Sequence, residues 1–71
     1  MNTLDLKGIV ANGGVIEISA KSFTVLDLKG IANAGKGHDG GLIINDANTL
    51  MALDCKGIAA TNPGHVTFKF C

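Results

Sequence analysis

The densest group of chemically capable side chains is the stretch GKGHDGG at residues 35–41. Glycine-rich backbone exposes N–H groups that can cradle an anion, and Lys36 would add a positive charge. A phosphate loop, however, sets its lysine before Ser or Thr at the start of a helix. Here Gly37 follows Lys36, so the stretch reads as a polar corner. His38 and Asp39 are adjacent, and His65 lies 27 residues beyond His38. With Cys71 they offer nitrogen, oxygen and sulfur ligands. Metal sites usually show tight ligand spacing such as Cys-x2-Cys, which is missing. The 27-residue spacing instead follows an internal repeat.

A second candidate is a thrice-used pair of opposite charges: Asp5 with Lys7, Asp27 with Lys29, and Asp54 with Lys56. Three equivalent pairs could form three ligand sites, as in repeat lectins. No aromatic platform for a sugar lies in these words, so carbohydrate is the weaker partner class. Alternation with apolar neighbours places the charges on a solvent face, where charges are expected in any case. No Ser/His/Asp or Cys/His arrangement clusters, and Glu17 has no paired carboxylate at useful spacing. The expectation is a protein without catalytic residues, metal or cofactor. Its candidate interaction surface is Asp5, Lys7, Asp27, Lys29, Asp54 and Lys56, with His38 and Asp39.

The elements that must carry these residues are repeated. TLDLKGIVANGG (3–14), VLDLKGIANAG (25–35) and ALDCKGIAATN (52–62) share one word, beginning at Leu4, Leu26 and Leu53 with steps of 22 and 27 residues. A second word travels with it: GGVIEIS from Gly13, GGLIIND from Gly40 and GHVTFKF from Gly64. Periods of this size indicate repeat architectures. The units fall at about 3–23, 24–50 and 51–71 of a single domain spanning 1–71. Both words alternate with period two, which reads as half-buried strands. Leu4, Leu6 and Gly8 would share the inner face, with Asp5 and Lys7 outside. Only ANTLMALDC (47–55) passes locally as helix. The expected fold class is all-β: about three repeats of two strands, with essentially no helix.

Six strands in three copies suit a small β-solenoid, a β-helix-like stack with like strands on like strands. The stretch from Gly13 to Asp46 and LDCKGIAATNPGHVTF (53–68) resemble the repeats of filamentous-haemagglutinin-type secreted adhesins. Those have glycine pairs before an isoleucine strand, then a leucine strand, then Gly-Ile and an Ala/Asn/Gly corner. The resemblance implies a right-handed parallel β-helix with a structural or surface role, and it carries no catalytic residues. The family's domains have many coils, whereas this chain has fewer than three.

The alternative is a pseudo-threefold globule of three β-hairpins. Asn12-Gly13 is a strong hairpin signal. A loop at Ala11–Gly13 would set Lys7 opposite Glu17, Leu6 opposite Ile18 and Gly8 opposite Ile16, a favourable cross-strand pattern. Stacking would instead align Asp5, Asp27 and Asp54 at a strand spacing of roughly 4.8 Å, and like charges so placed repel.

A chain of 71 residues has a marginal core and often needs a staple or a partner. With no Trp or Tyr and three Phe, that core must come from Leu, Ile, Val and Ala. Six basic and six acidic residues cancel, which lacks the basic footprint of a nucleic-acid binder. Zero formal charge with a mean hydropathy of +0.34 favours self-association. No apolar run is long enough to span a membrane. MNTLDLKG does not resemble a signal peptide, so the chain reads as cytoplasmic or as a piece of something exported. Cys55, standing where the other copies have leucine, reads as a small buried hydrophobe. Cys71 reads as exposed, and a bridge between the two is the lesser expectation. Function is then a non-enzymatic structural or adhesive repeat module that self-associates or joins a larger protein. The alternative is a small homo-oligomeric protein-binding module, for example phage-encoded.

Overall fold

A computed structural model describes residues 1–70. The chain alternates helix and strand: α1 (Thr3–Ala11), β1 (Val15–Ser19), α2 (Val25–Ala34), β2 (Gly41–Asn45), α3 (Ala52–Thr61) and β3 (Val66–Phe68). Short 3-10 turns at Ala20–Ser22 and Ala47–Thr49 follow the first two strands. The strands form one parallel sheet in the order β1-β2-β3, and the helices lie beside one another in the same order. Parallel neighbours need a crossover, and here a helix supplies each one.

This corrects the all-β expectation. The second words are strands, but the leucine words are helices. The protein is a mixed α/β fold, neither a β-solenoid or β-helix nor a pseudo-threefold set of hairpins. The right-handed parallel β-helix implied by the adhesin resemblance is likewise absent from the described residues. No hairpin forms at Asn12-Gly13, where Asn12 ends α1 and Gly13 turns the chain at φ +91°.

The helices form for a local reason that period two conceals. Asn2 Oδ1 accepts from the Asp5 N–H at 2.9 Å, and Thr24 Oγ1 accepts from the Asp27 N–H at 3.1 Å. The aspartates reach back to the N–H groups of Asn2 and Thr24, completing two capping boxes. Each box satisfies donors that a helix start otherwise leaves orphaned. Asp5 and Asp27 also place negative charge at the positive end of a helix. α3 has Asp54 in its first turn but Met51 as N-cap, with no side-chain cap bond.

Behind the caps, apolar residues recur at i, i+3 and i+4: Leu6, Ile9, Val10; Leu28, Ile31, Ala32; Cys55, Ile58, Ala59. This is the stripe of an amphipathic helix. The strands answer with Ile16 and Ile18, Leu42 and Ile44, and Val66 and Phe68, paired as Ile16↔Leu42↔Val66 and Ile18↔Ile44↔Phe68. The core centres on Leu28, Ile31, Leu42, Ile44, Ile58 and Val10. Full burial of each such side chain stabilises the fold by about 1.5–3 kcal/mol. Leu4 and Gly8 do not share the inner face with Leu6, because a helix turns them outward.

One register detail matters. The sequence words align Gly13 with Gly40, 27 residues apart, but the sheet pairs Val15 with Gly41, 26 apart. A one-residue slip exchanges the two faces of a strand. The observed register places Ile16 and Ile18 inside and Glu17 outside.

Candidate interaction surface

The repeated Lys-Gly at the centre of each helix is a stacking device. The Lys7 side chain of α1 lies across Gly30 of α2, where a Cβ would sit 3.0 Å from Lys7 Cε and 3.2 Å from its Nζ. The Lys29 side chain lies across Gly57 of α3 in the same way, at 3.0 and 3.1 Å. Missing a Cβ, each glycine lets the preceding lysine lay its stem over the neighbouring helix while its ammonium stays wet. A Cβ at Gly8 would meet nothing within 4 Å, and among the described residues Lys56 crosses no helix glycine.

Burial at equivalent positions shows the same polarity. Ile31 and Ile58 are fully buried, whereas Ile9 is only half-buried. Val10 and Ala32 are fully buried, but Ala59 is half-buried. Leu6 and Leu28 are buried, whereas Cys55 is half-buried. The first helix therefore lacks cover on its Gly8–Ile9 side and the last on its Cys55–Lys56–Ala59 side. An open groove of about 710 Å³ lies at the first end, lined by Met1, Leu4, Asp5, Gly8, Ile9 and Asn12 among others.

Cys55 carries a thiol whose pKa is raised, first by burial and then by the charge of Asp54. It is a weak nucleophile. It is also less buried than the sequence suggests, because among the described residues no helix packs against that side of α3. Expectations for Cys71, as a metal ligand or a partner of Cys55, fall outside the described residues.

The GKGHDGG segment is the connection from α2 to β2. It is pinned at both ends. A Cβ at Gly35 would lie 2.5 Å from Val10 Cγ1, and one at Gly40 would collide with the Val10 carbonyl. The buried Asn62 donates from Nδ2 to the Gly40 carbonyl at 2.9 Å. Between the pins, Lys36, His38 and Asp39 are exposed. His65 precedes β3 and is exposed too. Among the described residues, no three His, Cys, Asp or Glu side chains come together as a metal site.

The outer face of the sheet bears a polar row that sequence reasoning missed. Asn45 Nδ2 donates to Glu17 Oε2 at 2.8 Å, and Lys69 Nζ pairs with the same oxygen at 3.5 Å. These contacts hold the Glu17 carboxyl below its ordinary pKa, the Asn45 hydrogen bond first and the Lys69 charge second. The signal for this row was the strand register, which no local motif supplies. The structure thus separates the residues the sequence grouped. The three aspartates sit at helix starts, the three lysines cross or await the next helix, and His38 with Asp39 occupies a separate loop.

A further set recurs at one place. Leu4, Leu26 and Leu53 are each the second residue of their helix, and they are 74%, 79% and 76% exposed. Met1 and Met51 are also exposed nearby in sequence. No helix is long and apolar enough to cross a membrane among the described residues. No known family matches this chain, and no curated protein or solved structure resembles it significantly.

Proposed function

We propose that this chain is a non-enzymatic structural module that works by self-association. The observation that carries this reading is the incomplete cover at both ends of the helix layer, with Ile9 half-open at one and Cys55 and Ala59 half-open at the other. Apolar surface left uncovered in this way favours association, because burying it removes it from water. The outer edges of β1 and β3 add backbone donors and acceptors free to pair. A formal net charge of zero leaves little repulsion to oppose contact. Sedimentation of the chain over a concentration series tests the reading. The mean mass is expected to rise with concentration, and a single monomeric species throughout would overturn it.

A second reading, a module that also binds a different protein, is favoured by the exposed leucines at one position of all three helices. It expects a Leu4→Gln/Leu26→Gln/Leu53→Gln variant to keep the fold and the self-association while losing binding to that partner.

A further inference from the structure

The two ends of the molecule are complementary halves of the junction it already contains twice. At an internal junction, one helix gives a lysine and two half-covering small or apolar residues. The next gives a glycine and an isoleucine. At the α1–α2 junction Lys7 crosses Gly30, with Leu6, Val10 and Ile31 all buried in the core. At the α2–α3 junction Lys29 crosses Gly57, with Leu28, Ala32 and Ile58 all buried in the core. The last helix still presents the donor half, as Lys56, Cys55 and Ala59. The first still presents the acceptor half, as Gly8 and Ile9.

We propose that a second copy of this chain docks head to tail, its α1 packing beside α3 with Lys56 laid across Gly8 of the incoming copy. This rests on the self-association reading and names its geometry. In this arrangement β1 of the incoming copy adds to the free edge of β3, continuing the parallel sheet in the order it already has. The groove at the first end, lined by Gly8 and Ile9, receives the Lys56 stem. Asn12, whose Nδ2 donates to the Gly8 carbonyl at 2.8 Å, lines the same groove. The contact is heterologous. A heterologous contact leaves one end of each kind open after every addition, so it extends into a chain or closes into a ring.

Two exposed positions test this without threatening the fold. Gly8→Arg fits the open space of the lone molecule but fills the acceptor half and sets a cation against Lys56. Lys56→Glu spoils the donor half by replacing the long lysine stem that would cross Gly8 with a shorter, anionic side chain. Circular dichroism confirms that both variants are folded, and sedimentation reads their mass. Each variant alone should associate at least about tenfold more weakly than the unaltered chain, since Gly8→Arg sets like charges at every junction and Lys56→Glu removes the crossing stem from every junction. An equimolar mixture should associate more strongly than either variant alone, because Gly8→Arg keeps its donor half, Lys56→Glu keeps its acceptor half, and the other junction sets the two introduced, opposite charges together. If either variant alone assembles as the unaltered chain does, or the mixture associates no more strongly than either variant alone, the head-to-tail geometry is wrong while self-association stands. If the unaltered chain never associates, the self-association reading itself fails.

Discussion

The junction between α1 and α2 and the bare side of α1 are made from the same residues, yet they behave differently. At the junction, Gly30 is crossed by Lys7 and Ile31 is fully buried. On the bare side, Gly8 meets nothing and Ile9 is half-open. Sequence is nearly constant between the two places, so the difference lies in whether a preceding helix is present. One word therefore has two physical roles, a packed interface inside the stack and an unsatisfied surface at its end.

The sharpest way to break this comparison is to shorten the two isoleucines. Ile31→Ala is expected to cost about 3 kcal/mol, through lost burial and the cavity left behind. Ile9→Ala should cost only about 1 kcal/mol in the dilute protein. Chemical denaturation would measure both, and equal losses would mean that Ile9 is already covered. The caps offer the next contrast. Thr24→Ala should lose about 1 kcal/mol by opening the α2 box, while Met51→Thr should gain up to about 1 kcal/mol by giving α3 the box it lacks. Thermal melts in opposite directions would bear this out.

The glycines give a smaller effect. Gly8→Ala should stabilise the dilute chain by about 0.5–1 kcal/mol, the helix-propensity gain for a methyl in open space. Gly30→Ala should gain less, because its methyl must displace the end of the Lys7 side chain. The smallest effect is the acid response of the sheet face. Glu17 has a lowered pKa in the folded chain, so its contribution is complete above the unfolded value near 4.5 and is lost as pH falls through the folded one. Glu17→Gln should lower stability slightly at neutral pH and flatten the profile across that acid window, the difference from the unaltered chain vanishing at lower pH in denaturant melts.

Much of this was legible from sequence, but not through the alternation that dominates the eye. The repeat is plain in the words at Leu4, Leu26 and Leu53. In five letters such as LDLKG, period two and a helical start cannot be separated, and the charges on alternate positions favour the strand reading. What separates them is longer range. Asn2-x-x-Asp5 and Thr24-x-x-Asp27 are capping-box signatures, and Leu28, Ile31, Ala32 has helical spacing. Leucine itself misleads, because the copy at Leu4, Leu26 and Leu53 faces water while that at Leu6 and Leu28 faces the core. The Glu17–Asn45–Lys69 row was not legible at all, since it depends on a strand register one residue away from the one the glycine words suggest. The lysine-over-glycine contact needs two copies side by side, so neither copy alone reveals it.

The central claim is that both ends of the stack are halves of one junction. Backbone NMR shifts recorded along a dilution series test it most directly. Concentration-dependent changes are predicted at Gly8, Ile9 and Asn12 and equally at Cys55, Lys56 and Ala59, with the Ile31 and Ala32 signals of the middle helix holding still. Changes confined to one end, or to Leu4, Leu26 and Leu53 across the helix layer, would contradict it.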